Sequence, residues 1–172
     1  MSLPADSMYD EVGESTLASS WSGTSATGPV ARRLVGMLLS YGRFNVGELP
    51  GTSQADVLVG VEGDFRLVDG GRVLYEELSF PVVELAWSLL RWVGRGERDD
   101  FVFDSMSFEE LGALTVRREG GGWVFGSAFA PESVGTPVSW VEVEAGVRDF
   151  GRRVADDLNA AGLDAADALR EI

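Results

Sequence analysis

Carboxylates, Arg, Tyr and hydroxyls are the side chains in this sequence that could do chemistry, because its 172 residues include neither His nor Cys. The absence of His and Cys excludes disulfides, thiolate zinc sites and nucleophiles of the Ser–His or Cys–His type. Carboxylates can still serve in general acid–base catalysis or bind hard cations such as Ca²⁺. The sequence identifies no catalytic residue, and we expect no cofactor and no metal.

Four pairs of adjacent acids stand out: Glu76–Glu77, Asp99–Asp100, Glu109–Glu110 and Asp156–Asp157. Neighbouring residues point to opposite faces of a strand and lie about 100° apart on a helix. Adjacency alone therefore does not make a catalytic dyad, which needs two carboxylates from distant segments to converge. We interpret most of these pairs as solvated surface.

Seven acids form the candidate partner-binding set. Four of them lie on or beside one predicted hairpin, and three flank a short predicted strand. They would form one acidic rim if the two segments are neighbours in the fold. The set is Asp64, Asp69, Glu76, Glu77, Asp99, Asp100 and Asp104.

The net charge of −14 limits the partners of the chain. A negative field of this size repels nucleic acid and anionic membranes and attracts a basic protein. Excess carboxylates also increase solubility, which is the simpler explanation of the same charge. Because no apolar run reaches the roughly 18 residues that span a membrane, we expect a cytoplasmic protein.

Composition divides the chain into two parts. Residues 1–28 are rich in Ser, Thr and Gly and contain four acids but no Arg. They lack the apolar periodicity needed to offset an ordering entropy of about 1–2 kcal/mol per residue. We predict a flexible acidic arm over 1–28, whose removal leaves the fold intact, and a single domain over 29–172.

The first half of that domain predicts strands followed by a helix. Residues 34–46 fit either a strand or a helix, and two glycines favour the strand. Strands are predicted at 56–61 and 65–68, and the turn Asp69–Gly70–Gly71 leads into another at 72–76. A nearly all-apolar helix is predicted at about 80–94, with Ser79 as its cap and Gly94 at its end.

The second half predicts a strand at 101–103, one helical turn at 107–110 and a hairpin around Gly120–Gly121–Gly122. In that hairpin Trp123, Phe125 and Phe129 share one face. The capping box of Ser139 and Glu142 then opens a helix at about 139–161. Its apolar stripe is Val143, Val147, Phe150, Val154 and Leu158.

This order of elements predicts an α+β fold, in which hairpins build an antiparallel sheet and the two main helices pack on it. The alternative is two small sheets that flank the first helix. Because that helix is apolar nearly all round, the sequence also allows a homodimer.

Three segments carry a resemblance to small proteins of streptomycetes and related bacteria. They are the run from Phe80 to Trp92, the run from Asp100 to Ser105 and the run from Gly122 to Ser127. The resemblance covers about residues 55–158 and belongs to a largely uncharacterised group, so it assigns no site residue. In size and acidity the chain is also similar to immunity proteins that neutralise polymorphic toxins, which implies a protein-binding role.

The leading hypothesis is therefore a non-enzymatic acidic domain that binds a basic protein, with neutralisation of a toxin or effector as the specific case. A carboxylate-based enzyme, or a domain that binds a small ligand or metal, is the alternative from another class. A mimic of nucleic acid is a third hypothesis, and it requires acids spaced like the phosphates of a duplex.

Overall fold

A computed structural model describes residues 37–51, 53–107 and 111–170. The predicted arm at 1–28 lies outside the described residues, and so does most of the helical turn predicted at 107–110. The chain from Arg32 to Ile172 forms one compact unit.

Helices and strands alternate irregularly along the described residues. In chain order they are β1 (Met37–Val46), α1 (Gln54–Gly60), β2 (Val61–Asp69), β3 (Arg72–Phe80), α2 (Val82–Gly94), β4 (Phe101–Val102), β5 (Thr115–Glu119), β6 (Gly122–Gly126), α3 (Trp140–Ala160) and α4 (Ala165–Ala168). The strands form two antiparallel three-stranded sheets, ordered β1–β2–β3 and β4–β5–β6. The α+β prediction is confirmed, and the strands adopt the two-sheet arrangement.

Both predicted glycine turns join adjacent strands. Gly70 and Gly71 have φ values of 56° and 89° between β2 and β3, and Gly120 and Gly121 have φ values of 60° and 83° between β5 and β6. Only residues without a Cβ adopt two successive positive φ values readily, which is why these sequences specify tight hairpins. The preferred strand assignment is also confirmed for the described part of residues 34–46.

The strand predicted at 56–61 is wrong, because residues 54–60 form helix α1. Ser53 caps this helix: its hydroxyl accepts a hydrogen bond from the amide of Asp56, and the carboxylate of Asp56 accepts one from the amide of Ser53 at 3.0 Å. This capping box satisfies amide groups that a first helical turn leaves without partners. The apolar residues Val57 and Leu58 are both buried, so packing supports the helix as well.

The predicted cap of α2 is also wrong. Ser79 belongs to β3, where it has a φ of 51°, and α2 begins two residues after β3 ends at Phe80. Pro81 occupies the cap position and makes no side-chain hydrogen bond there. Gly94 is the last helical residue, and the left-handed conformation occurs at Gly96 instead.

In the second half, β6 ends at Gly126, so Phe129 does not continue the predicted alternation. The hydroxyl of Ser127 accepts a hydrogen bond from the amide of Phe129 at 3.1 Å and turns the chain away from the sheet. Helix α3 agrees with its prediction at both ends, and every residue of its apolar stripe is buried.

Helix α2 lies at the centre of the unit, in contact with α1, β2 and α3. Its apolar surface is largely covered by these elements of the same chain, with Leu85, Ala86 and Leu89 fully buried. The sequence allowed a homodimer because this helix is apolar nearly all round, but contacts within one chain already cover most of its apolar side chains.

The segment that follows α3 is attached to two distant elements. The side-chain amide of Gln54 donates to the carbonyls of Ala168 and Arg170 at 3.0 and 2.9 Å. The indole of Trp87 donates to the carbonyl of Arg170 at 2.9 Å. These bonds fix the segment after α4 against α1 and α2.

Candidate functional site

Two of the seven candidate acids are buried and hold the fold together. Asp69 accepts hydrogen bonds from the amide and the hydroxyl of Thr136, both at 2.7 Å, and so joins the β2–β3 turn to the loop before α3. Asp64 forms an ion pair with Arg43 of the neighbouring strand β1. Both carboxylates therefore already have partners within the chain.

The other two hairpin acids point to opposite faces of β3, as adjacent strand residues must. Glu76 pairs with Arg66 across the sheet at 3.1 Å. Glu77 accepts a hydrogen bond from the hydroxyl of Tyr75 at 3.1 Å. Burial and the nearby charge of Glu77 raise the pKa of the Tyr75 phenol above its usual value.

The remaining three acids surround β4, in the other sheet, and are exposed. The carboxylate of Asp100 accepts a hydrogen bond from the amide of Arg118 at 2.9 Å. Asp99, Asp104 and the nearby Glu97 form no salt bridge within the described part of the chain. The seven acids thus fall on two sheets, and only the three around β4 have carboxylates that face solvent as a group.

Tryptophan packing holds the β4 segment in place from behind. The indole of Trp92 on α2 donates to the carbonyl of Asp99 at 2.9 Å, and its ring lies 5.2 Å from that of Phe101. Trp140 of α3 packs edge-on against Trp92, and Trp123 of β6 lies 5.0 Å from Trp140. Tryptophan side chains from α2, β6 and α3 therefore form the cluster that fixes the position of β4.

Glu84 is a buried carboxylate of α2. It is only 2% exposed. One oxygen accepts from the hydroxyl of Ser105 and the other from the amide of Met106, both at 2.7 Å. No local pattern in the sequence of α2 indicates that the side chain of Glu84 turns inward to hold the segment after β4.

A groove of about 230 Å³ separates α2 from β4. Trp87, Ser88, Arg91 and Arg95 line its helix wall, and Asp100, Val102 and Asp104 line its strand wall. The guanidinium of Arg91 lies 5.2 Å from the centre of the Trp87 ring, which is a cation–π distance. Neither Arg91 nor Arg95 forms a salt bridge with any residue that the structure describes.

Apolar side chains are exposed beside these acids. Val102 is 46% exposed and Met106 is 61% exposed. We call six exposed residues of this segment the β4 surface: Glu97, Asp99, Asp100, Val102, Asp104 and Met106. Arg98, which is also exposed, stacks over the Trp140 ring at 5.5 Å from its centre. Apolar contacts and charge together on one exposed segment are typical of protein-binding surfaces.

A model of the family described as Domain of unknown function (DUF7878) matches residues 39–160. The chain belongs to this family. The DUF7878 region begins within β1 and ends with the last residue of α3, so it includes both sheets, the groove and the β4 surface. No curated protein and no solved structure matches the chain.

Metal-binding acid clusters and membrane-spanning helices bear on the other hypotheses. Within 37–51, 53–107 and 111–170, no three Asp or Glu side chains are grouped so that they could hold a metal ion. No helix in these ranges is long and apolar enough to cross a membrane. The buried acids Asp64, Asp69 and Glu84 each have different partners, namely Arg43, Thr136 and the pair Ser105 and Met106.

Proposed function

We propose that this chain is a non-enzymatic domain that binds a basic protein through the β4 surface. The observation that carries the proposal is that Asp99 and Asp104 are exposed and form no salt bridge with any described residue, next to the exposed apolar side chains of Val102 and Met106. On α3, by contrast, Glu144 and Asp149 form ion pairs with Arg residues and Glu142 belongs to the capping box.

The two kinds of side chain serve different stages of binding. Exposed carboxylates that form no salt bridge attract a basic partner over several ångströms and speed its approach. Apolar side chains release water when the partner covers them, at roughly 25 cal/mol per Å². The β4 surface therefore favours rapid, salt-sensitive association followed by a contact that includes apolar burial.

The specific case that we propose is inhibition of a basic toxin or effector, as an immunity protein does. Its support is the net charge of −14 and the resemblance in size and acidity to immunity proteins. Inhibition would follow from coverage of a basic functional surface on the partner, and it needs no chemistry from this chain.

Photo-crosslinking in the native host tests the proposal. A photoreactive amino acid is introduced at Met106, and the captured protein is then purified and its association rate is measured against the full chain. We expect a basic protein, whose association slows steeply as salt is raised. Replacement of both Asp99 and Asp104 by Asn should slow association roughly tenfold at low salt.

The matched control removes two exposed acids elsewhere that also form no salt bridge with a described residue, through Glu48→Gln and Glu132→Gln. It makes the same change in net charge away from the β4 surface and should alter the rate by less than about twofold. An acidic captured protein would contradict the proposal. If both double variants slow association equally, the effect depends on net charge alone and does not locate binding at the β4 surface.

A further inference from the structure

From the edge of the second sheet, we infer that the partner contributes an extended segment that pairs with the free edge of β4 and fills the groove against α2. This inference rests on the proposed function and deepens it, because it names the conformation and the side-chain pattern of the segment that binds. Three features of the described residues support it: the backbone of Val102, the shape of the groove and the order of side chains along β4.

The backbone groups of Val102 point away from the sheet. The amide of Phe103 donates to the carbonyl of Leu114 at 2.8 Å, so this is a hydrogen-bonded pair of the antiparallel ladder. Such pairs alternate with non-hydrogen-bonded ones, and Val102 is opposite Thr115 in the next position. The amide and carbonyl of Val102 therefore point away from β5, toward the free edge of β4.

The groove runs along the free edge of β4. Its two walls are the free edge of β4 and the side of α2 that carries Trp87 and Arg91. A strand added to a sheet edge lies about 4.8 Å from its neighbour and gains affinity from main-chain hydrogen bonds. The Trp92 contacts that fix β4 keep this edge in an extended, paired conformation before any partner arrives.

The side chains along β4 specify the chemistry of the segment. Phe101 and Phe103 are buried, so the alternate positions Asp100, Val102 and Asp104 share the exposed face. Opposite charges and apolar pairs stabilise directly facing positions of adjacent strands, and like charges destabilise them. The segment that fits therefore has five residues in the pattern basic, x, apolar, x, basic, where x is any residue. Its basic side chains would face Asp100 and Asp104, and its apolar side chain would face Val102.

The intervening x positions would point toward α2. Arg91 and Arg95 on that wall have no acidic partner among the described residues. Neutral or acidic side chains are favoured there, since basic ones would face like charge. One face of the bound segment would therefore meet the acids of β4, and its other face would meet the Arg residues of α2.

A peptide-display library of random extended sequences, selected on the full chain, gives the probes. We expect enriched peptides to carry the pattern basic, x, apolar, x, basic. The enriched peptides are then synthesised with one backbone amide methylated at a time, which removes a hydrogen-bond donor without changing any side chain. Methylation of the amide that pairs with Val102 should weaken binding roughly tenfold, and methylation of the next amide should leave it unchanged.

Amide hydrogen exchange supplies a second measurement that needs no variant. On saturation with an enriched peptide, exchange of the Val102 amide should slow by about tenfold or more. The amides of Gly120 and Gly121, at an exposed turn of the same sheet, should exchange as before.

The outcomes separate the inference from the proposed function. If methylation at every position is tolerated but binding still depends on Asp99 and Asp104, strand addition is wrong and the binding surface stands. Enrichment of no peptide, or of peptides without the basic positions, also overturns the strand-addition inference. Crosslinking from Met106 then decides the proposed function independently.

Discussion

The carboxylate of Glu84 on α2 accepts a hydrogen bond of 2.7 Å from the hydroxyl of Ser105, just beyond β4. The same side chain accepts a hydrogen bond from the amide of Met106. One buried carboxylate therefore holds two consecutive residues after β4 and sets the path of the chain there. Because Met106 and Val102 belong to the β4 surface, the geometry of that surface depends on a residue that never contacts solvent.

Replacement of Glu84 by Ala should lower the free energy of unfolding by about 2–4 kcal/mol. The substitution leaves the Ser105 hydroxyl and the Met106 amide without their acceptor in a buried site and opens a cavity. Ser105→Ala is the milder comparison, with an expected loss of about 1–2 kcal/mol, because the bond to Met106 remains. Urea unfolding followed by tryptophan fluorescence measures the stability of both variants. A Glu84→Ala variant as stable as the parent would refute the structural role of Glu84.

Two glycines of α3 should respond in opposite directions to the same substitution. A methyl group added at Gly146 would have no atom within 4 Å, and one added at Gly151 would lie 2.8 Å from Leu90 on α2. Gly146→Ala should raise the free energy of unfolding by about 0.5–1 kcal/mol through helix propensity. Gly151→Ala should lower it by about 1 kcal/mol, because crowding between the helices exceeds that gain. Thermal unfolding of the pair checks the order.

Tyr41 should make stability fall in alkaline solution. Burial, aided by its hydrogen bond of 2.6 Å to the carboxylate of Asp157, raises the pKa of the Tyr41 phenol above its ordinary value of 10.0. Above about pH 10 the unfolded chain loses this proton while the folded chain keeps it, so the free energy of unfolding declines. Below that pH the contribution is fully present.

Urea unfolding between about pH 9 and pH 11 measures this decline. Tyr41→Phe should make it shallower, and the remaining slope should include Tyr75, whose pKa is also raised. An unchanged slope in the Phe variant would show that Tyr41 ionises equally easily in both states.

The chain should sediment as a monomer at micromolar concentrations. Helix α2, whose apolar sides suggested self-association, is covered by α1, β2 and α3 of the same chain. Sedimentation velocity over a hundredfold range of concentration, about 1 to 100 µM, tests this, because a dimer held by a weak interface dissociates on dilution. A concentration-independent dimer would place an obligate interface on some other surface.

Local signals in the sequence predicted a large part of the fold. The glycine turns at 70–71 and 120–121 and the capping box at Ser139 determine structure within a few residues, and the hairpins and α3 formed as predicted. Helix α1 was missed although Ser53 and Asp56 form the same kind of capping box. Its apolar run also fits a strand, and packing decides between the two structures.

The site was harder to predict, because burial of a charge depends on contacts between distant segments. Asp64 and Glu84 occupy positions with no local sign of burial, yet Arg43 and Ser105 reach them from 21 residues away in each case. Asp99 and Asp104, by contrast, were predicted at the surface beside a short strand, and they lie there. Sequence pattern therefore located the exposed acids but could not show which acids the fold uses internally.

The bonds from Gln54 and Trp87 to the carbonyls of residues 168 and 170 span 83 to 116 positions of the chain. Such contacts form only after a long stretch has been synthesised. During translation, α1 and α2 would thus leave the ribosome well before the segment that completes their environment. Until then Trp87 lacks its carbonyl partner and α2 lacks the cover of α3, so the nascent chain exposes an apolar helix that is prone to aggregation.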